Sequence, residues 1–148
     1  MNAIKNYSSN IPINRIFERI QKTLSSHGAR QIIFDYGNDG KIYGLSFVVP
    51  IKTGMLPVKL PSKVDKAAAI LKNQYHQGLI RDRKVLEPEQ AYRVAWRNLY
   101  DWVDAQMALL DIDMVKMEEV FFPYVVNNKG ETMFEMFESN PNRLLQSP

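Results

Sequence analysis

The sequence contains no cysteine. This absence excludes disulfides, thiol nucleophiles and cysteine-based zinc sites, and it fits a reducing, cytoplasmic location. No apolar run approaches the roughly 18 residues that a membrane-spanning helix needs. The opening residues, MNAIKNYSSNIP, also lack the basic and then apolar order of a secretory signal. We therefore expect a cytoplasmic protein that has no membrane partner.

Signatures of catalysis and metal binding are missing as well. The two histidines, His27 and His76, lie near predicted helix ends, where a positive charge complements the helix dipole. No Gly-rich phosphate loop and no HExxH pattern occurs. Asp39 and Lys41 imitate the acidic-x-Lys pair of some nucleases, but they lie in a glycine-flanked turn. We predict no catalytic residue, no resident metal and no cofactor, and we favour a non-enzymatic role.

The charge is unevenly distributed along the chain. Residues 1–87 contain fourteen Lys and Arg against six Asp and Glu, a net +8, whereas residues 88–148 contain five against ten, a net −5. A basic half is typical of proteins that bind a polyanion. It is also compatible with attraction between the two halves, or with a dimer that packs basic half on acidic half.

A long helix is predicted over residues 88–110. Its first residue, Pro88, suits the start of a helix because the missing N–H would have no partner there. No glycine or proline follows until the predicted end. Apolar side chains recur every three or four residues and so share one face. These apolar positions are Tyr92, Ala95, Trp96, Leu99, Val103, Met107 and Leu110.

The opposite face of this helix carries a polar stripe that includes Gln90. We interpret the stripe as a solvated surface or a partner-binding surface, with a divalent-cation site as the alternative, because carboxylates one turn apart can share an ion. Asp111 and Asp113 lie at the end of the long helix, where the dipole disfavours anions. Either Asp113 caps a short helix at residues 114–119, which is the simpler account, or these charges meet a basic surface elsewhere. The candidate partner-binding residues are Arg97, Asp101, Asp104 and Asp111.

Elements before the long helix follow the order helix, three antiparallel strands, helix. The first helix begins near Pro12 and ends at Gly28, and strands are predicted at residues 31–36, 41–49 and 55–60. Aromatic residues on the strands favour a core over a base-stacking surface. The second helix begins with Ser62 as N-cap and Asp65 as its capping-box partner.

After the long helix, a turn at residues 127–130 predicts a C-terminal hairpin, although residues 132–139 also fit a helix. Residues 140–148 are expected to form a loose tail. The predicted fold is α+β in one domain, with a basic α-β-β-β-α half over residues 11–77 and an acidic half over residues 88–139.

Lysines gather around the start of the second helix, where exposed N–H groups and the helix dipole favour a phosphate. These lysines either bind a phosphate or are ordinary solvated side chains. The following segment, GLIRDRKVLE, reads as a flexible basic loop that supplies a second set of contacts. Two further lysines lie at the margin of the sheet. The candidate nucleic-acid-binding residues are Lys41, Lys52, Lys59, Lys63, Lys66, Arg81, Arg83 and Lys84.

Two resemblances accompany these patterns. The order of elements over residues 11–77 is similar to the double-stranded RNA-binding domain, whose second helix presents lysines at its start, and to the core of phage single-strand annealing proteins. The run AWRNLYDWVDAQMALLDIDMVKMEEVFFPY resembles small phage and prophage proteins of unassigned role. The residues carrying the first likeness are Ser62, Lys63, Lys66, Ala67, Ala68 and Ala69.

Three functions follow as hypotheses. The first is a non-catalytic nucleic-acid-binding protein of a phage or mobile element, with DNA favoured over RNA, that acts in replication or recombination as a homo-oligomer. The second is a protein-binding inhibitor or adaptor, such as an anti-defence protein, that uses the acidic face of the long helix. A metal-dependent nuclease built on the aspartates is the third alternative.

Overall fold

The computed structural model describes residues 2–145. It confirms the α+β class and the predicted order of helix, three strands, helix and long helix. The helices are α1 (Ile13–Ser26), α2 (Val64–His76), α3 (Pro88–Asp111), α4 (Met117–Val120) and α5 (Met133–Ser139). The strands are β1 (Gln31–Tyr36), β2 (Ile42–Ile51) and β3 (Gly54–Leu60), and 3₁₀ turns lie at Arg83–Leu86, Phe122–Tyr124 and Pro141–Arg143.

The chain folds as two compact units, each of which is discontinuous in sequence. Unit 1 comprises residues 1–23 and 62–107, and unit 2 comprises residues 24–61 and 108–148. Helices α1 and α3 each contribute residues to both units. Each unit therefore draws on both the basic and the acidic half of the sequence.

Unit 1 has an aromatic and aliphatic core built on α1, α2 and α3. Four of the seven predicted apolar positions of α3 are buried, and Trp96 is fully enclosed. The other three, Ala95, Leu99 and Leu110, are partly buried. The Phe17 ring of α1 meets the Trp96 ring edge to face, with centroids 4.9 Å apart. A second cluster joins Leu71 of α2 to Val94 of α3, together with Ile80, Val85 and Ala91. Partly buried residues of the first ten, Ala3, Ile4 and Tyr7, pack against this cluster.

Unit 2 is built on the antiparallel sheet, in the strand order β1-β2-β3. Alternate residues of β2 and β3 point into its core, because successive side chains of a strand point to opposite faces. Phe47 of β2 contacts Phe121 edge to face, with ring centroids 5.3 Å apart. The buried strand residues are Leu45, Phe47, Val49, Leu56, Val58 and Leu60.

The strand aromatics divide between core and surface. Phe47 is buried as predicted, but Tyr36 is 67% exposed and Tyr43 is also exposed, so the core prediction is wrong for these two residues. The Tyr43 hydroxyl instead donates a 2.5 Å hydrogen bond to the Asp39 carboxylate. This bond holds Tyr43 across the turn that joins β1 to β2.

Helix α3 ends at an aspartate in the left-handed conformation. Asp113 has φ +58°, and the N–H groups of Asp113 and Met114 donate to the carbonyls of Leu110 and Leu109. These bonds form a Schellman motif, in which a left-handed residue closes the helix. The prediction that Asp113 caps a following helix is therefore wrong. The next helix, α4, begins at Met117, with Lys116 as its N-cap.

Two further predictions are corrected at helix starts. Lys63, not Ser62, is the N-cap of α2, and no side chain caps it. The predicted C-terminal hairpin is reduced to a single bridge between Val126 and Thr132. Residues 133–139 form α5 instead, because Thr132 and Glu135 make a reciprocal capping box. Part of the predicted loose tail, residues 146–148, lies outside the described residues.

Candidate nucleic-acid interface

The eight predicted cations are distributed over both units. Lys41, Lys52 and Lys59 belong to unit 2. The larger set belongs to unit 1, where the fold brings α2 into contact with the 3₁₀ turn. We therefore treat the unit 1 cations as the candidate interface. They are Lys63, Lys66, Arg81, Arg83 and Lys84.

Two of these lysines lie on one exposed face at the start of α2. Lys63 and Lys66 are one helical turn apart, and Ile70 and Asn73 continue the same face at the spacing of an α-helix. All four side chains are exposed. The first N–H groups of α2 have no side-chain cap, and the Ser62 hydroxyl oxygen, although buried, has no hydrogen-bond partner among the described residues. This end of α2 therefore combines backbone donors with two ammonium groups.

The basic segment after α2 is anchored rather than flexible. Ile80 and Val85 are buried in the same cluster as Leu71 of α2. Asp82 accepts a 3.0 Å hydrogen bond from the Lys84 N–H and so begins the 3₁₀ turn. The prediction of a flexible loop is wrong because these two apolar side chains fix the segment to the core of unit 1.

The cations of this segment have different environments. Arg81 and Arg83 are exposed, one on each side of Asp82. The Lys84 ammonium donates a hydrogen bond to the Asn10 side chain. Within residues 2–145, none of Lys63, Lys66, Arg81 and Arg83 takes part in an ion pair.

The net charge reinforces this arrangement. Unit 1 contains twelve Lys and Arg against seven Asp and Glu, a net +5, while unit 2 contains seven against nine, a net −2. Unit 1 therefore carries more net positive charge than the whole chain, whose net charge is +3.

The polar face of α3 is partly covered by residues 2–10, which we call the N-terminal segment. Gln90 was predicted to lie on an exposed stripe, but its side chain is fully buried. Its amide nitrogen donates to the carbonyls of Tyr7 (2.9 Å) and Ser9 (3.0 Å), and its oxygen accepts from Arg93 at 2.6 Å. A second buried glutamine, Gln74 of α2, accepts a hydrogen bond from the Ile4 N–H at 2.9 Å. Two glutamine side chains thus hold the main chain of this segment.

Asp101 is the most heavily bonded of the predicted partner-binding residues. It accepts hydrogen bonds from the Asn6 side chain at 2.8 Å and from Arg97 Nε at 3.0 Å, and the Lys5 ammonium lies 3.4 Å away. Burial raises the pKa of Asp101, but the hydrogen bonds from Asn6 and Arg97 and the charges of Arg97 and Lys5 lower it by more. The net pKa therefore lies below the ordinary value, and the carboxylate serves to attach the N-terminal segment to α3.

The remaining acidic residues of the stripe lie in different settings. Asp104 is exposed. Asp111 Oδ1 lies 2.9 Å from His27 Nε2, a contact within unit 2 between residues 84 positions apart. His27 was predicted to lie near the carbonyls of its own helix end. The sequence offered no signal for its pairing with Asp111.

A cavity of about 370 Å³ lies in unit 1 between α2 and the start of α3. Its apolar wall includes Ala68, Ala91 and Val85, while Lys72, His76 and Glu87 carry the charged groups of its lining. Sequence reasoning did not identify this cavity.

No family model, curated protein or solved structure matches the chain. Among residues 2–145, no cluster of three or more His, Asp or Glu side chains is arranged to hold a metal ion. Within the same described range, no helix combines the length and the apolar character needed to cross a membrane.

Proposed function

We propose that the protein binds nucleic acid through the exposed cations of unit 1. The observation that carries the proposal is that Lys63, Lys66, Arg81 and Arg83 are exposed without ion-pair partners within residues 2–145. Asp101 contacts Arg97 and Asp111 contacts His27, and the exposed carboxylates beside these cations, Asp65 and Asp82, form no ion pair with them within residues 2–145. The unit thus presents positive charge that its own fold leaves unneutralised.

Binding would rest on contacts with the phosphate backbone. Each ammonium or guanidinium that neutralises a phosphate releases condensed counterions, so affinity falls as salt rises. Such contacts position a protein on a polymer but read no sequence. Ile70 lies on the same α2 face as Lys63 and Lys66, yet this face has no aromatic side chain for stacking on bases. We therefore propose binding that is largely independent of sequence. DNA is the polymer that we favour as the partner.

A biological setting follows from the sequence resemblance alone. The likeness of the α3 region to small phage and prophage proteins suggests a role in replication or recombination of a mobile element. The protein would act there as a non-catalytic binding protein.

The test is a fluorescence-anisotropy titration against labelled single-stranded DNA, duplex DNA and double-stranded RNA. Lys63→Glu/Lys66→Glu is expected to lose most of the affinity of the wild type, because four units of charge change at the start of α2. The matched control, Lys129→Glu/Arg143→Glu, makes the same change of charge in unit 2 and should retain the affinity of the wild type. Equal losses in both variants would refute a localised interface, and no binding of the wild type to any polymer would refute the function.

The second candidate is a protein-binding role for the acidic face of α3. It has less support, because Arg97 binds Asp101, Asp101 also binds Asn6 of the N-terminal segment, and Asp111 contacts His27. Asp104 is the exposed acidic residue that such a partner would meet first. Charge reversal at Asp104 that abolished function but spared nucleic-acid affinity would favour this candidate.

A further inference from the structure

The two outer edges of the sheet in unit 2 differ, because one is covered by another segment of the chain and the other is open. The outer edge of β3 is covered by residues 125–126: Val125 forms a bridge with Val58, and the Val126 N–H donates to the Pro57 carbonyl at 3.1 Å. The outer edge of β1 has no neighbouring strand within residues 2–145. An open edge presents backbone donors and acceptors that another strand can pair with.

Strand β1 lacks the features that usually protect an edge. Its sequence, QIIFDY, has no lysine and no proline, although both are common guards against pairing. The irregularity in the β1–β2 ladder falls in β2, where the register passes from Gly44 to Ile42 and leaves β1 regular. The Asp35 carboxylate leans over Gly44, since a Cβ at Gly44 would lie 2.7 Å from Asp35 Oδ2. Its charge is thus directed over the sheet and not out from the edge.

We propose that a second copy of the chain pairs with β1 in antiparallel fashion, with the two-fold axis passing through Ile33. The two sheets would join into one of six strands. Ile33 is 47% exposed and would face its own counterpart, and Ile32 would face Phe34 of the second copy. A closed two-fold interface of this kind uses the same surface on both subunits.

The charges of the strand fit this register. Arg30 would lie opposite Tyr36, which is 67% exposed, and Gln31 would lie opposite Asp35. No two like charges face each other. A shift of the register by one residue would place the side chains of one copy on the opposite face of the combined sheet. The strand is therefore complementary to itself in one register, which favours a second copy over an unrelated peptide.

The first test measures mass by sedimentation at micromolar concentrations without nucleic acid, so it does not depend on the proposed function. We expect the wild type to show twice the 17.1 kDa of the chain. Ile33→Lys, which adds an edge guard, should be a monomer with a wild-type circular-dichroism spectrum. The matched control is Met55→Lys, because Met55 of β3 is 54% exposed on the same face of the sheet and lies away from the β1 edge. Met55→Lys should remain a dimer.

The second test uses the absence of native cysteine. On mild oxidation Ile33→Cys should form a disulfide-linked dimer, since opposed residues of antiparallel strands have Cβ atoms about 5 Å apart. Gln31→Cys should not, because its counterpart would lie four positions away along the strands.

Three results would overturn the proposal. The first is a wild type that is monomeric at every concentration, which would leave the edge to an extended segment of another protein. The second is a Met55→Lys variant that dissociates as much as Ile33→Lys, which would point to packing through the sheet face. The third is equal cross-linking at positions 31 and 33.

Discussion

Replacing Lys63 and Lys66 with neutral residues should make nucleic-acid affinity depend less steeply on salt concentration. If all five candidate interface cations of unit 1 contact phosphates of duplex DNA, the slope of log K against log salt is about −4.5, and it becomes about −2.7 when two are lost. Between 50 and 200 mM salt, affinity would then fall about 500-fold for the wild type and about 40-fold for Lys63→Gln/Lys66→Gln.

The assay is an anisotropy titration of one labelled duplex at four salt concentrations, with the slope as the measured quantity. The control, Lys129→Gln/Arg143→Gln, lowers the net charge of the chain by the same amount but changes unit 2. Its slope should equal that of the wild type. The reasoning is refuted if the α2 variant keeps the wild-type slope, or if both variants reduce it equally, because the effect would then come from net charge alone.

Three other predictions concern stability, each measured by urea unfolding. Gln90→Leu should destabilise the protein by about 1–3 kcal/mol or more, since it leaves the Tyr7 and Ser9 carbonyls without their buried donor; an unchanged midpoint would contradict this. Asp113→Gly should stabilise it by about 1 kcal/mol, because glycine adopts φ +58° without the penalty of a side chain, whereas Asp113→Asn should recover only the part due to the helix dipole. The Asp101 pKa is lowered on folding, so its carboxylate contributes stability above about pH 4 that is lost as pH falls through the folded pKa. Asp101→Asn should therefore lower the free energy of unfolding more at pH 7 than at pH 3. An equal loss at both pH values would refute that account.

The long helix could be predicted because its signal is local. Tyr92, Trp96, Val103 and Met107 recur at helical spacing, and all four are buried. A helix that buries one face repeats its apolar residues in this way whatever it packs against. The three strands were equally accessible, since alternation and glycine turns are also properties of short stretches of chain.

Burial of Gln90 could not be predicted from its neighbours in sequence. It depends on carbonyls 81 and 83 residues away, in the N-terminal segment. The contact of His27 with Asp111 spans 84 positions and is equally invisible. Ala3, Ile4 and Tyr7 were the available hint that the first residues pack against a core.

The candidate interface shows both outcomes. Lys63 and Lys66 were placed correctly at the start of a helix. The anchoring of the segment after α2 was not predicted, because Ile80 and Val85 do not recur at a helical or strand spacing that would indicate burial. Whether a cation is neutralised within the fold is a tertiary property, and the sequence lists charges without saying which of them meet.

The interleaving of the two units has a consequence for fragments of this protein. The chain passes between units after residues 23, 61 and 107, so no single cut releases either unit whole. A fragment that ended at Pro61 would contain all three strands but would lack Phe121, whose ring packs against Phe47 in their core. A ribosome likewise completes neither core until most of α3 has been made. We expect truncation products to be insoluble or rapidly degraded, and the intact chain to unfold in one cooperative transition.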